Sequence, residues 1–226
     1  MDSMNIPPIF TLGPIEVTVT VITTWGIMVV LGAMSWLLTR QLSDEPGTVQ
    51  TALEGIVSTI ERAIAEVSPQ NVKYIMPFIG SLWVFLVVAN LSGLIPGVNS
   101  PTRDLSATSA LALLVFLSTH WFGVRIEGWK NYLHHYITPS PILLPFHMIS
   151  EITRTFALAV RLFGNIMSRE MAALMVLMVA GFLAPVPIML LHIIEALVQA
   201  YIFGMLALIY VAGGLQSQQL RQQQKE

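Results

Sequence analysis

Five stretches of this 226-residue chain are apolar over about the length that a helix needs to cross a lipid bilayer, and no other feature constrains the fold as much. They cover residues 19–39, 74–95, 107–124, 142–184 and 186–215. A helix rises 1.5 Å per residue, so about 20 apolar residues cross a hydrocarbon core about 30 Å thick. In lipid, each backbone N–H and C=O must find its partner inside the protein, which limits spanning segments to helices or closed barrels. Long runs without two-residue alternation favour helices. Charged residues make up 11% of the chain and mean hydropathy is +0.70, whereas soluble domains average about 25% charged residues. The expected fold is all-α, a polytopic membrane protein built as a single membrane domain over 1–226.

The segment 49–67 does not fit the spanning pattern. Val49, Leu53, Ile56, Val57, Ile60, Ile64 and Val67 recur at helical spacing, with Gln50, Glu54, Glu61, Arg62 and Glu66 elsewhere. This predicts an amphipathic interfacial helix, lying on the membrane surface or against a partner. A polar turn with a Pro46-Gly47 break precedes it. The last two apolar stretches are too long for a simple crossing. One helix over 142–184 would measure roughly 64 Å, and one over 186–215 roughly 45 Å. They must break, or tilt steeply and run partly along the membrane plane. Pro185 and Pro187 mark the turn between them, which makes a long antiparallel hairpin.

Basic residues near span ends set the orientation. With five spans, Arg40, Lys73, Arg125, Lys130, Arg221 and Lys225 fall on one side, and Arg103 on the other. The N-terminus is then outside and the C-terminus cytoplasmic. The first residues lack a basic stretch leading into an apolar one, so no cleavable signal is expected. Without cysteines, disulfides and thiolate metal sites are excluded. A net charge of −2 gives no sign of a nucleic-acid partner. No internal repeat of the kind found in many transporters is present.

The last two helices hold most of the ionisable residues that fall inside apolar runs. Arg161 sits between Val160 and Leu162, within apolar surroundings. A charge near the middle of a spanning helix costs at least about 2.5–3.5 kcal/mol and is kept where it has a task. Arg154, Arg161, Asn165 and Ser168 follow at steps of seven, four and three, on one face of a helix. On the last helix His192, Glu195 and Gln199 make a similar stripe. If Arg161 faces Gln199, antiparallel packing puts Glu170 roughly 13 Å and His192 roughly 10 Å toward the outer side. Glu195 then lies between them and the arginine. On the other side, no carboxylate follows until Glu151, which can pair with Arg154 three residues on. Carboxylates and imidazole can load and release protons when burial and neighbours shift them, and arginine stays charged. A polar half-path that ends at a fixed charge does not conduct alone. It works if something mobile collects the ion there.

Arg161-Leu162-Phe163-Gly164-Asn165 and Gln199-Ala200-Tyr201-Ile202-Phe203 resemble the signature motifs of subunit a of F-type ATP synthases. Asn90-Leu91-Ser92-Gly93-Leu94-Ile95-Pro96-Gly97 resembles that family's motif at the end of an earlier span. The resemblance runs from about residue 19 to 212 and takes in the interfacial helix and the terminal hairpin. Several motifs in the right order make it specific, where one alone would not.

The resemblance implies an ion-translocating stator subunit that serves a ring of c subunits, each with a membrane-embedded carboxylate. Arg161 would face that carboxylate, favour its ionised form and separate two offset half-channels. Gln199 would neighbour Arg161, Asn165 would line the path, and Glu170 with His192 would form the outer half-channel. Glu195 is an additional acid, and Arg154 would face the cytoplasmic half-channel. Peripheral-stalk b subunits and membrane lipid are the other implied partners, with no nucleic acid. No cofactor, metal or nucleotide is expected on this chain, which lacks a Gly-rich phosphate loop, and no catalytic role. The location implied is the bacterial inner membrane, with protons as the favoured ion. The competing reading is a self-contained secondary transporter in which Arg161 binds an anion or couples transport; an intramembrane hydrolase would need a nucleophile–base pair or metal motif at depth, and neither is evident. Asn90 is read as a packing residue through hydrogen bonds. His134 and His135 lack a third metal ligand nearby.

Overall fold

A computed structural model of the chain describes residues 10–12, 15–40, 47–95, 100–129, 144–180 and 185–223. The prolines at 139 and 141, the pair His134 and His135, and Pro96-Gly97 lie outside these. Six α-helices carry the described fold: α1 (Val19–Thr39), α2 (Thr48–Val67), α3 (Val72–Ser92), α4 (Leu105–Glu127), α5 (Leu144–Ala180) and α6 (Pro185–Gln223). A single 3₁₀ turn, Pro101–Arg103, precedes α4. A short antiparallel ribbon, β1 (Phe10–Leu12) and β2 (Ile15–Val17), precedes α1 with Thr11 opposite Glu16. Five helices, all except α2, are long and apolar enough to cross a membrane. The chain is an all-helical polytopic membrane protein with this small ribbon added.

The long segments do not break. α5 is one helix of 37 residues and α6 one of 39. At 1.5 Å per residue each exceeds roughly 55 Å, well beyond the hydrocarbon core. They pack antiparallel, because residues later in α5 meet residues earlier in α6.

The core lies where α3 runs along α6 and where α4 rests on both α5 and α6. Ile75, Ile79, Leu82, Leu86 and Ala89 form the buried stripe of α3 at helical spacing. α6 answers with small residues at steps of four and three: Ala196, Ala200, Gly204 and Ala207. Small side chains let helices approach closely where lipid supplies no hydrophobic drive. A Cβ on Gly204 would stand 2.8 Å from the Trp83 ring, so glycine is what admits the indole. The Trp83 ring in turn lies 5.7 Å from that of Tyr201.

Polar groups close one end of the α3–α6 contact. Buried Asn90 donates through Nδ2 to the Ala196 carbonyl at 3.2 Å and accepts at Oδ1 from the Thr102 hydroxyl at 3.0 Å. Ser100 donates to the Ala89 carbonyl at 2.7 Å. These bonds tie the 3₁₀ turn to α3 and α6 without exposing polar atoms. At the start of α4, the Asp104 carboxylate caps the helix by accepting from the Ser106 N–H at 2.9 Å.

The amphipathic helix α2 splits its apolar residues between two surfaces. Ile64 is fully buried and Leu53, Ile60 and Val67 partly so, against α3 and α6. Val49, Ile56 and Val57 are at least half exposed. The helix is thus docked on its own chain and keeps a second apolar strip open. α1 stands at the periphery, touching α3 and the 3₁₀ turn.

Candidate ion path

The polar residues of α5 are placed by its apolar ones. Leu158, Leu162 and Ile166, at steps of four, are buried in the core and fix the rotation of the helix. Arg161 is thereby turned outward and is exposed, together with Arg154, Ala157, Val160 and Ser168. Among the described residues, Arg161 makes no hydrogen bond, ion pair or ring contact. Phe156 and Val160 beside it are exposed apolar side chains, as are Leu197, Val198 and Tyr201 on α6. The arginine therefore emerges from an apolar surface rather than from a cavity within the chain.

One turn beyond Arg161, the Asn165 side-chain amide donates to Gln199 Oε1 across the hairpin. Gln199 is 2% exposed, and its Nε2 has no partner among the described residues. Another turn on, Arg169 reaches back to α6. Its Nη1 donates to the His192 carbonyl at 3.3 Å, and its Nε lies 3.9 Å from Glu195 Oε2. Glu195 keeps 42% of its side chain exposed, so this cluster opens to its surroundings. Gln199, Glu195 and His192 thus follow one another on the facing helix, all within reach of α5.

The register differs by one turn from an alignment of Arg161 with Gln199. Asn165 is the residue opposite Gln199, and Arg169 stands opposite Glu195. The backbone of Glu170 is in α5; its side chain lies outside the described residues. Arg154 sits with its guanidinium 5.6 Å from the Tyr210 ring of α6.

Two participants lie beyond the expected site residues. Arg169, one of the polar residues that interrupt the apolar run of α5, follows Arg161 and Asn165 at steps of four and shares their stripe. His120 of α4 was unremarkable as a single imidazole in an apolar run. It meets Glu151 instead of leaving that acid to Arg154: His120 Nε2 lies 3.2 Å from Glu151 Oε2. His120 Nδ1 is 2.9 Å from the Phe116 carbonyl. Among the described residues, no group of three or more His, Asp or Glu side chains is placed to hold a metal ion.

A multi-pass helical protein with an outward arginine on an apolar face, unpartnered among the described residues and flanked on its own and neighbouring helices by carboxylates, imidazoles and amides, has the features of a membrane subunit that handles ions at a shared surface. The comparisons make the class specific. Residues 21–212 match the family model described as ATP synthase A chain. The chain is 62% identical to ATP synthase subunit a 2 of Pelobacter propionicus, over 96% of both chains. It is 63% identical to ATP synthase subunit a 1 of Hahella chejuensis, over 95% of this chain and 92% of that one. It is 59% identical to ATP synthase subunit a of Legionella pneumophila, over 95% and 94%. The chain belongs to the bacterial F-type ATP synthase subunit a family. It is an ion-translocating subunit of the synthase membrane sector.

Proposed function

We propose that this chain is the stator half of an ion turbine in which Arg161 separates two offset half-channels that serve the carboxylates of a c-subunit ring. The observation that carries the reading is the exposure of Arg161 on an apolar surface with no partner among the described residues. A guanidinium cannot lose its charge to escape lipid, so it calls for an anion supplied from outside the chain. A ring carboxylate passing in front of it is held ionised by the positive charge. The ion leaves before the site passes, and no ion crosses directly between the half-channels. Each ion then travels with the ring, and the membrane potential contributes about 2.3 kcal/mol per charge per 100 mV. Arg161 is a fixed charge throughout, and the chain itself carries no catalytic site.

Glu195, His192 and Glu170 form the outer half-channel, with Gln199 and Asn165 bridging the hairpin beside the arginine. Arg154 lies on the cytoplasmic side. Protons are the transported ion, peripheral-stalk b subunits hold the chain against rotation, and it sits in the bacterial inner membrane with its C-terminus cytoplasmic. The test is Arg161→Ala in vesicles that contain the whole synthase. ATP-driven ion pumping is expected to fall to background while the complex still assembles. Wild-type pumping by that variant would overturn the reading, and solute transport by the purified chain alone would favour a self-contained transporter.

A further inference from the structure

We propose that His120 of α4 and Glu151 of α5 form a site that holds one proton and exchanges it between cytoplasmic water and the ring carboxylate, which makes them the working pair of the second half-channel. The proposal rests on the stator reading above and gives chemical content to its cytoplasmic side.

The geometry fixes where the proton is. The Phe116 carbonyl can only accept, so His120 Nδ1, 2.9 Å away, must carry a hydrogen. The other ring nitrogen then faces Glu151 Oε2 at 3.2 Å. A neutral ring with that tautomer has a bare Nε2, and two acceptors would oppose each other at this distance. The two atoms do not meet in hydrogen-bond geometry here, and one further proton between them, on the ring as imidazolium or on the carboxyl, relieves the opposition. The pair therefore binds a proton that either partner can own. Both side chains are about a quarter exposed, 29% and 24%, although Glu151 Oε2 itself is buried.

The position suits the task. Glu151 lies ten residues before Arg161, roughly 15 Å along α5 in the direction away from Arg169, His192 and Glu195. Glu151 and Arg169 are 18 residues apart, about five turns, so they share one face of α5. That face meets α6 at the Arg169 level and α4 at the Glu151 level. The two polar clusters flank the arginine along the helix and are completed by different neighbours, as two half-paths separated by a barrier require. Among the described residues of α4 and α5, Arg154, one turn on along α5 and set against Tyr210 of α6, and exposed Arg125 near the end of α4 are further charged groups on the same side.

During ATP-driven pumping the pair takes a proton from cytoplasmic water and passes it to an ionised ring carboxylate. During synthesis it receives that proton from the ring and returns it to water. One proton enters, one leaves, and nothing is oxidised or reduced.

Glu151→Gln tests this in vesicles that hold the whole synthase. Its amide can still donate to His120 Nε2, so a merely structural clamp would survive, but it cannot share a proton. ATP-driven acidification is expected to fall at least about tenfold, within the range that proton-transfer groups contribute. The exchange of partners, His120→Glu with Glu151→His, restores the shared proton and is expected to recover a substantial part of the rate. Wild-type pumping by an assembled Glu151→Gln complex overturns the proposal. So does an assembled exchange variant that stays as slow as Glu151→Gln. If Glu151→Gln does not assemble, the exchange variant alone decides, by pumping or failing to pump. When Arg161→Ala stops pumping but Glu151→Gln does not, this inference fails and the stator reading stands; when neither variant changes pumping, the stator reading itself fails.

Discussion

Arg161, Asn165 and Arg169 follow at steps of four along α5, yet meet three different environments. The first is open, the second bonds Gln199, and the third grips the backbone and a carboxylate of α6. The spacing was legible in the sequence, because helical periodicity follows from chain geometry. Which residue of the facing helix each would meet was not, because one turn of slip leaves every apolar pattern satisfied. Among the described residues, the Asn165–Gln199 bond and the Arg169 contacts set that register. Asn165→Ala would leave the buried Gln199 amide without its bond and is expected to cost about 1–3 kcal/mol. Gln199→Leu combined with Asn165→Ala should cost less than the sum of the single changes, because the two residues share one bond. Thermal unfolding of the four purified complexes measures this coupling. For the Arg169 contacts, Arg169→Leu is expected to weaken hairpin docking by about 1–2 kcal/mol. Arg169→Lys should keep part of that contribution, because it retains the charge but loses the fork. A lower unfolding temperature for Leu than for Lys would bear this out, and equal values would contradict it.

At the scale of helices, apolar length was enough to identify membrane-crossing elements, because lipid leaves the backbone few alternatives. Continuity of α5 and α6 was left open, since runs as long as 142–184 and 186–215 fit both a broken and a tilted helix. Packing of α5 on α4, and of α6 on α3 and α4, supports each as a single rod. The ribbon before α1 gave no signal, as three-residue strands carry too little alternation to be read. α2 also differed from a helix lying wholly on a surface or partner, since half of its apolar residues pack on α3 and α6. At Gly204 even a methyl group meets the Trp83 ring, so α3 and α6 approach closely there. Gly204→Ala is expected to destabilise the α3–α6 contact by about 1–3 kcal/mol through overpacking. Replacing Trp83 by Leu in the same chain should return part of it. Unfolding temperatures of the single and double variants decide whether the clash is the cause.

Over the whole molecule, the buried surfaces gather around α3, α4, α5 and α6, and the outward side of the hairpin remains bare. The sequence showed that Arg161 is a costly charge expected to have a task; that no described side chain partners it depends on how α5 is rotated, which is a property of the assembled core. The lack of cysteine offers a clean probe of that bare side. Val160→Cys is expected to react readily with a small lipid-soluble maleimide in the isolated chain and at least several-fold more slowly in the complete synthase. Equal rates in both would mean that nothing covers this face.

An outward arginine on an apolar face also makes the free chain an unsatisfied object. Until a neighbour arrives, the guanidinium must draw water or lipid headgroups toward the middle of the bilayer, and the surrounding helix is strained toward one interface. On the stator reading proposed above, the subunit would be least stable when it is alone and would be completed by the neighbour that covers this face. The same charge that would keep ions from leaking through the finished machine is thereby the one left unsatisfied in the unfinished one.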